Sequence, residues 1–310
     1  MNNILCIAGP TASGKTALAV ELAKFTGGEV ISCDSMQIYR GMTIGTAKPT
    51  PEEMDGVVHH MIDVCDPRED FSVSRYCEMA TPILDDILAR GKTAIIAGGT
   101  GLYMDSLIRG NDFAPFPATG HRQRLEKRLE EIGPDALLAE LAAVDPEAAR
   151  KSQRNPRRII RALEVFYETG ETITSHNLRT QAVPPRYSPL WIGLDFQPRQ
   201  LLYDRINLRV GMMLQQGLAE EIRTLLQSGI PESATSMQAI GYKEFVDALQ
   251  GRMTMEAAAD QVRAASRHYA KRQLTWFRRN SQMHWLTRRP GEGAEEILSR
   301  ARQLLGETDI

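Results

Sequence analysis

The apolar positions in the first part of the chain form short continuous runs that alternate with segments of helical periodicity. Continuous runs of this length are typical of strands that are buried on both faces of a parallel sheet. We predict such strands over residues 4–8, 29–33, 92–97 and 190–194. Helical spacing predicts helices over residues 17–23, 72–89 and 199–227, with a short one opening at Pro51. Strands that alternate with helices predict an α/β fold with one parallel sheet flanked by helices.

The pattern changes in the middle of the chain. Residues 113–117 contain two prolines that interrupt regular structure, and residues 119 to about 180 then show only helical patterns. A helix is expected to start at Asn155-Pro156, because proline is well tolerated in the first helical turn. We therefore predict an α/β core made of residues 1–114 and 188–310, and an all-helical insertion over residues 115–187.

Composition and charge narrow the classes of protein. The chain of 310 residues exceeds the usual size of one domain core, and its net charge of −2 gives no overall field that would mark a nucleic-acid partner. The four cysteines show no C-x-x-C spacing, which indicates reduced thiols and disfavours a metal site. The sequence contains no stretch of about 18 apolar residues. We expect a soluble, cytoplasmic monomer without membrane contact.

A glycine-rich segment between the first strand and the first helix fits the pattern G-x-x-x-x-G-K-[ST]. It consists of Gly9, Pro10, Thr11, Ala12, Ser13, Gly14, Lys15 and Thr16. In this context the backbone N–H groups and the helix N-terminus point at one anion, Lys15 adds positive charge and the Thr16 hydroxyl can ligate Mg²⁺. A glycine turn without a ligand is the weaker alternative. The segment predicts a P-loop NTPase-like fold that binds ATP or another ligand with a diphosphate group, together with Mg²⁺.

Two further segments follow strand ends and should face the same cleft, because the carboxyl ends of parallel strands border the ligand crevice. Asp34 follows the second strand and is predicted to reach the P-loop, with helix capping as the alternative. The third strand leads into Gly98-Gly99-Thr100, where ATP-hydrolysing P-loop proteins commonly carry an aspartate for Mg²⁺. This difference disfavours a motor protein or a GTPase. Thr100 either caps the next helix or contacts a ligand.

Cationic residues cluster in three places. Six of them lie around Asn155 in the predicted insertion: Arg150, Lys151, Arg154, Arg157, Arg158 and Arg161. Arg205 and Arg209 are four residues apart and would project together toward a diphosphate. Residues 261–291 combine cations with aromatic residues and contain no Asp or Glu, which suits a nucleic-acid backbone and stacked bases. Solvated faces, surface ion pairs, and a core role for Trp276 and Phe277 are the alternatives.

Taken together, these motifs resemble those of the tRNA dimethylallyltransferases, also called isopentenyl-diphosphate:tRNA transferases. The resemblance covers nearly the whole chain. It rests on the P-loop, on Asp34-Ser35 with Tyr39, and on residues 45–49, 98–100, 158, 161–165, 241–242 and 270–273. That family transfers a dimethylallyl group from its diphosphate to the exocyclic amine of the adenosine immediately 3′ of the anticodon. The resemblance implies that the P-loop holds dimethylallyl diphosphate and that the anticodon stem-loop of tRNA is the second partner.

The resemblance also implies roles for individual residues. Asp34 would accept the amine proton, with Thr100 among the catalytic residues, while Lys15, Arg209 and a Mg²⁺ ion on Thr16 would stabilise the leaving diphosphate. The extruded base would pass Ser35, Gln37, Thr100 and Arg122, and Met36 would also contact the tRNA. Contacts with tRNA are implied for Arg157, Arg158, Ile159, Ile160, Arg161, Lys271 and Arg272. The family usually has Asn-Asp-x-Gln-Arg where this chain has Asn155-Pro156-Arg157-Arg158, and this difference favours phosphate contact by Arg157.

Three other functions are compatible with parts of the sequence. A P-loop kinase for a small metabolite shares the opening strand, loop and helix, but it gives the basic segments no role. A prenyltransferase for free adenine nucleotides is a second possibility, but a mononucleotide substrate has too few phosphate groups to need so many cations. A non-catalytic RNA-binding protein would not need Lys15, Thr16 and Asp34 together.

Overall fold

The structure, a computed structural model, describes residues 3–110 and 119–307. The break in regular structure expected at residues 113–117 lies outside these ranges. The chain divides into two compact units. Residues 1–110 and 186–310 form one unit, called here the core unit, and residues 111–185 form the other, called the inserted unit.

A single parallel sheet lies at the centre of the core unit. Its strands are β1 (Ile4–Ala8), β2 (Glu29–Cys33), β3 (His59–His60), β4 (Ala94–Gly98), β5 (Leu190–Phe196) and β6 (Met283–Arg288). The strand order is β3-β2-β4-β1-β5-β6, and every neighbouring pair is parallel. Ile7 of β1 lies opposite Ala97 of β4 on one side and Ile192 of β5 on the other. The predicted α/β fold is confirmed, and the P-loop leaves the sheet at its middle.

Helices surround this sheet and build the inserted unit. In chain order they are α1 (Lys15–Thr26), α2 (Pro51–Met54), α3 (Val73–Ala89), α4 (Gly101–Arg109), α5 (His121–Val144), α6 (Pro146–Ser152), α7 (Pro156–Thr169), α8 (Ile173–Ala182), α9 (Arg199–Gln215), α10 (Leu218–Gln227), α11 (Tyr242–Leu249), α12 (Met255–Phe277) and α13 (Ala294–Glu307). Helices α5 to α8 belong to the inserted unit. Within residues 3–110 and 119–307, none of the helices is both long enough and apolar enough to cross a membrane.

Some elements differ from the sequence-based prediction. The hydrophobic pattern predicts neither β3 nor β6 nor α13. Strand β3 has only two residues and β6 lies at the sheet edge with partly exposed side chains, so neither gives a continuous apolar run. The single helix predicted over residues 199–227 is wrong. The chain forms α9 and α10 instead, because Gly217 between them adopts a φ of +97° and interrupts the helical path.

One hydrophobic core packs α1 and α13 against the central strands. Leu5 and Ile7 of β1, Leu22 of α1 and Leu305 of α13 are all buried in it. Burying a side chain of this size stabilises the fold by about 1.5–3 kcal/mol. This packing fixes the end of β1 and thereby the point at which the P-loop turn starts.

The inserted unit has a hydrophobic core of its own. Leu125 and Leu141 of α5 pack there against α7. Ile159 and Ile160 of α7 belong to the same core, with exposed fractions of 0 and 4 %. Side chains enclosed in a core cannot reach RNA, so the tRNA contact expected of these two residues is restricted to their backbone.

Helix α7 begins at Pro156, as the sequence predicts. The side chain of Asn155 accepts hydrogen bonds from the backbone N–H groups of Arg157 at 3.0 Å and Arg158 at 3.4 Å. This is the usual way in which asparagine satisfies the free donors at a helix start. The cap therefore orients the first turn of α7, from which the two arginines project with exposed side chains.

A buried carboxylate anchors the start of β2. It lies at the amino ends of the strands, whereas the P-loop lies at their carboxyl ends. Glu29 is 4 % exposed and accepts hydrogen bonds from Arg90 Nη2 at 2.9 Å and Lys92 Nζ at 2.8 Å. Nε2 of His60 lies 2.8 Å from the same carboxylate. Arg90 is the main cause that holds the pKa of the Glu29 carboxyl well below its ordinary value, against the effect of burial.

We predict that Glu29→Gln lowers the free energy of unfolding at pH 7 by about 3 kcal/mol, because it leaves three basic groups around a neutral amide. A carboxyl whose folded-state pKa is depressed contributes stability that is complete above its unfolded-state pKa and is lost as the pH falls. The difference between wild type and variant should therefore shrink below about pH 4.3, by up to about 1.4 kcal/mol per pH unit. Urea unfolding at several pH values measures it.

Asp86→Asn is the matched control for this prediction. Asp86 also binds Arg90, at 2.9 Å, but its side chain is exposed, so the control should change the free energy of unfolding by less than about 1 kcal/mol. A Glu29→Gln effect that stayed constant between neutral and acid pH would contradict the assigned cause.

Candidate active site

The P-loop connects the end of β1 to the start of α1 and is held by contacts within the protein. Gly14 adopts a φ of +91°, which glycine tolerates without steric penalty, and the chain turns directly into α1. Nζ of Lys15 donates a hydrogen bond to the carbonyl oxygen of Pro10 at 2.7 Å. Nε of Arg205 donates another to the carbonyl oxygen of Ala12 at 2.9 Å. The protein thus fixes the shape of the loop, while the N–H groups of the first turn of α1 have no partner within the helix.

A polar cavity of about 80 Å³ lies beside the P-loop, at the carboxyl ends of the central strands. Its lining includes Lys15, Thr16, Asp34, Arg209, Tyr269 and Gln273. The structure therefore brings predicted site residues from three distant parts of the sequence together: the P-loop, Asp34 and Arg209. Two cations and one carboxylate around so small a space are suited to a compact polyanion.

A larger cavity of about 290 Å³ adjoins the first and shares Asp34 and Arg209 with it. Much of its wall is apolar and consists of Ile206, Val210, Met213, Ile240 and Val262. Ile206, Val210 and Met213 are spaced by four and three residues on α9 and so lie side by side on the helix. Arg209 is three residues from Ile206 and four from Met213, and it lines the same cavity. The two cavities together can take an elongated molecule with an anionic head and an apolar tail.

The charged forms of both cations in the small cavity are disfavoured, chiefly by burial. The pKa of Lys15 is lowered to about 8, mainly by burial and further by the charge of Arg209, while Asp34 acts in the opposite direction. Burial likewise lowers the pKa of Arg209. Nη1 of Arg209 donates only a long hydrogen bond, 3.4 Å, to Oγ1 of Thr11. An anion bound between the two cations would therefore be strongly favoured.

Asp34 faces the cavity with one oxygen already in use. Its Oδ1 accepts hydrogen bonds from the N–H groups of Met36 at 2.9 Å and Gln37 at 3.4 Å. These bonds cap a turn over residues 35–38 and not a helix. Among the residues that the structure describes, none donates a hydrogen bond to Oδ2, so this oxygen is available to a ligand in the cavity.

Thr100 links the ends of β2 and β4. Its Oγ1 accepts a hydrogen bond from the N–H of Ser35 at 3.1 Å, and its own N–H donates to the carbonyl oxygen of Cys33 at 3.2 Å. Helix α4 starts at Gly101 without a capping bond from the Thr100 side chain, so the capping alternative is wrong for this hydroxyl. Thr100 instead fixes the turn that carries Asp34.

One wall of both cavities is a loop around Thr46, and Glu221 holds this loop in place. Its carboxylate accepts hydrogen bonds from the N–H groups of Thr43, Ile44 and Gly45 at 2.9, 2.7 and 3.2 Å. The hydroxyl of Tyr242 donates to the same carboxylate at 2.6 Å. A Cβ on Gly45 would lie 2.4 Å from the Tyr242 ring, so the close approach of loop and ring requires glycine.

Gln37 holds the same loop from the other side. Its Nε2 donates hydrogen bonds to the carbonyl oxygens of Thr46 at 3.3 Å and Ala47 at 3.1 Å, and its Oε1 accepts one from the Ser32 hydroxyl at 3.0 Å. Gln37 lines the small cavity, as a residue on the path of the base should, but both ends of its amide are engaged within the protein. Ser35 and Met36 line the larger cavity.

The remaining predicted site residues lie in the inserted unit or on α12. In the inserted unit, Arg122 pairs with Glu126 at 3.1 Å and with Glu164 at 3.6 Å, and Arg161 donates to Glu164 at 2.8 Å. On α12, Arg272 lines the larger cavity, while Lys271 is exposed to solvent.

The aromatic residues at the end of α12 belong to the core unit. Phe277 is 1 % exposed, and the indole N–H of Trp276 donates a hydrogen bond to Asp105 of α4 at 2.8 Å. A Cβ on Gly101 would lie 2.2 Å from the Trp276 ring. Phe277 therefore has the core role that was the alternative to base stacking. Trp276 is half-buried and helps to pack α12 against α4.

The motifs in the sequence predict no individual site role for Tyr269 or Gln273, yet both line the small cavity. Val262, Ser266, Tyr269 and Gln273 recur every three or four residues and so share one face of α12. All four line one cavity or the other. The position of Gln273 on the inward face of α12 was the signal that could have identified it as a site residue.

Comparisons with known proteins agree with this arrangement. Residues 37–280 match the family model described as IPP transferase. The chain belongs to the IPP transferase family. The tRNA dimethylallyltransferase of Acetivibrio thermocellus is 43 % identical over 307 residues, which cover 98 % of this chain and 98 % of that protein.

Solved structures of related proteins extend the comparison to the fold. The full-length tRNA isopentenylpyrophosphate transferase from Bacillus halodurans is similar with a TM-score of 0.74 and 43 % identity, covering 99 % of this chain and 96 % of that one. A eukaryotic dimethylallyltransferase acting on tRNA is similar with a TM-score of 0.82 and 27 % identity, covering 99 % of this chain and 80 % of that one. The resemblance inferred from the motifs is thus confirmed, and the similarity in fold covers 99 % of the chain.

We predict that the affinity for inorganic diphosphate falls above about pH 8, because the bound anion requires the protonated form of Lys15, whose pKa is about 8 in the free protein. The loss should approach tenfold per pH unit above that pKa. Calorimetric titration between about pH 7 and 9.5 measures the dissociation constants. Lys15→Arg is the matched control, because a guanidinium keeps its charge throughout this range.

The ratio of the two dissociation constants, wild type to Lys15→Arg, removes the titration of diphosphate itself from the comparison. We expect this ratio to rise with pH. A ratio that did not change with pH would show that the charge of Lys15 does not control binding at the P-loop.

Proposed function

We propose that this protein transfers the dimethylallyl group of dimethylallyl diphosphate to N6 of the adenosine 3′-adjacent to the anticodon of tRNA, position 37, and releases diphosphate. The observation that carries this proposal is the meeting of Lys15, Arg209 and Asp34 in a polar cavity that continues into an apolar one. The names of the relatives in the IPP transferase family support the same activity.

The donor fits the two cavities in one orientation. Its diphosphate would lie against the P-loop, between Lys15 and Arg209, where an anion offsets the repulsion between these cations. Its branched five-carbon chain would enter the apolar part of the larger cavity, next to Ile206 and Val210. ATP in this position would place a polar ribose and base among apolar side chains, which argues against a kinase.

The residues beside the P-loop fit a magnesium ion that is held jointly with the substrate. Mg²⁺ prefers oxygen ligands and commonly binds through one or two protein oxygens plus substrate phosphates. The Thr16 side chain lines the small cavity, and in the described part of the chain no three His, Cys, Asp or Glu side chains gather for a site made of protein alone. Thr16 would hold the ion together with diphosphate oxygens, and the ion would supply positive charge to the leaving group.

In the reaction, the bond between C1 of the donor and its diphosphate oxygen breaks as N6 of the adenine bonds to C1. The diphosphate leaves with the electron pair, and Lys15 and Arg209 stabilise its charge. The amine nitrogen must lose a proton, which Oδ2 of Asp34 accepts. Thr100 and Ser35 support this step by fixing the turn on which Asp34 lies.

Each unit carries exposed cations that can bind tRNA. Arg157 and Arg158 of the inserted unit and Lys271 and Arg272 of α12 have exposed side chains that can reach phosphate groups. The target adenosine would leave the base stack to reach the larger cavity. Since one chain carries the whole set of residues, we infer a monomer that acts on tRNA in the cytoplasm.

A direct assay distinguishes this function from its alternatives. The protein is incubated with Mg²⁺ and either dimethylallyl diphosphate labelled in the prenyl group or ATP labelled in the γ-phosphate, with bulk tRNA or with free AMP. We expect the prenyl label to enter tRNA. Transfer of the γ-phosphate label to a small molecule would identify a kinase, and prenylation of AMP in preference to tRNA would identify a nucleotide prenyltransferase.

We predict that Asp34→Asn leaves both substrates bound but lowers the single-turnover rate by roughly 10²- to 10⁴-fold, the usual contribution of a positioned general base. Asparagine can accept the same two turn bonds through Oδ1, so the backbone should keep its shape. Rapid-quench measurement of product checks the rate, with Asp204→Asn on the solvent side of α9 as the control. A near-wild-type rate would restrict Asp34 to capping, and recovery at high Mg²⁺ would make it a metal ligand.

A second prediction concerns the start of α7. Changing Arg157 and Arg158 together to Ala should weaken tRNA binding and reduce the slope of log K against log salt by about 0.7–0.9 for each lost phosphate contact. Filter binding at several salt concentrations measures the slope. The control combines Arg223→Ala with Arg252→Ala, since these arginines are already paired with Glu220 and Asp247. Equal slopes for all three proteins would make the α7 arginines a solvated face.

A further inference from the structure

Gln273 joins two loops that lie 174 and 262 residues away from it in sequence. Its side chain is 4 % exposed. Oε1 accepts a hydrogen bond from the N–H of Thr11 in the P-loop at 2.8 Å, and Nε2 donates one to the carbonyl oxygen of Gly99 after β4 at 3.0 Å. The same amide group lines the small cavity. One side chain of α12 therefore sets the distance between the P-loop and the loop that leads to Thr100.

The two bonds require an amide at this position. The Thr11 N–H needs an acceptor and the Gly99 carbonyl needs a donor, and the two ends of a glutamine side chain supply one of each. A glutamate would place a second acceptor against the Gly99 carbonyl and a negative charge beside the P-loop. A methionine has nearly the same volume but leaves both backbone groups without a partner in a place with little access to water.

Gly99 shows how closely the amide is enclosed. A Cβ built on Gly99 would lie 2.0 Å from Nε2 of Gln273, and the next nearest atom outside this side chain is a Gly9 oxygen at 3.5 Å. The φ of Gly99 is not in the left-handed region, so its backbone would accept alanine without strain. The amide of Gln273 is thus the one described group that requires position 99 to lack a side chain.

We propose that Gln273 is a positioning residue for the diphosphate site, which fixes the P-loop against the loop after β4 and so sets the geometry in which Lys15 and the P-loop N–H groups meet the donor. This role rests on the proposed function of the P-loop. It also determines which N–H groups face the ligand. The N–H of Thr11 donates to Gln273 and not to the ligand, so the N–H groups of later residues in the loop bind the diphosphate. The side chain itself does not touch the reacting atoms.

Gln273→Met tests the role with little change of volume. We expect the dissociation constant of inorganic diphosphate, measured by calorimetry with Mg²⁺ and without RNA, to rise about 5- to 50-fold, because two hydrogen bonds that fix the loop are lost. The KM of dimethylallyl diphosphate should rise by a similar factor, while the rate at saturating donor and the affinity for tRNA change much less. A purely structural role would lower the melting temperature and leave the dissociation constant unchanged at temperatures where the variant is folded.

A double-mutant cycle tests the same contact from the side of Gly99. Gly99→Ala should displace the amide and weaken diphosphate binding about as much as Gln273→Met. In a Gln273→Ala background the added methyl group meets no obstacle, so Gly99→Ala should have almost no further effect. Gly101→Ala is the matched control: it crowds the next turn of α12 through Trp276, so Gln273→Ala should not relieve its effect.

The outcomes separate this proposal from the proposed function. If the wild-type protein bound no diphosphate with Mg²⁺ and transferred no prenyl group, the proposed function would fall and the positioning role with it. If the wild type bound and transferred normally but Gln273→Met did the same, only the positioning role would fall. Additive effects of Gly99→Ala and Gln273→Ala would likewise overturn it, because residues that act through one contact cannot be independent.

Discussion

The rest of the site depends on one constraint, which is the burial of two cations, Lys15 and Arg209, beside one small cavity. A single carboxylate, Asp34, lies beside them. The pKa values of Lys15 and Arg209 are lowered because folding removes solvent from both. Further carboxylates would relieve this cost but would also compete with an anionic ligand. The protein instead uses neutral acceptors, the Pro10 carbonyl and the Thr11 hydroxyl. Binding of a diphosphate then offsets much of the desolvation cost that folding imposes on the two cations.

The walls of the site come from elements that are far apart in sequence. The P-loop and Asp34 follow β1 and β2, while the apolar wall and Arg209 come from α9, beyond the inserted unit. Helix α12 contributes Tyr269 and Gln273 from near the end of the chain. Glu221 accepts three backbone N–H groups of the loop around Thr46 and thereby ties α10 to the same wall. The cavity exists only when these segments pack together on one sheet.

How much could be predicted from the sequence follows from the range of each interaction. The apolar runs gave the central strands, the glycine pattern gave the P-loop, and helical spacing paired Arg205 with Arg209, because each signal spans a few residues. The bond between Gln273 and Thr11 joins residues 262 positions apart, and no local pattern marks it. The burial of Ile159 and Ile160 was missed for a related reason, because the face of α7 on which a residue lies decides its burial and a motif position does not show that face.

The strand order has a consequence for how the chain must fold during synthesis. Strand β1 pairs with β4 on one side and with β5 on the other, and the whole inserted unit is made between those two partners. At about 5–20 residues per second, the second edge of β1 stays open for roughly 5–20 s on the ribosome. That edge belongs to a fully apolar strand, of the kind that pairs readily with other chains. The inserted unit, which buries a core of its own, can fold during this interval, so its length sets how long the nascent sheet needs protection from aggregation.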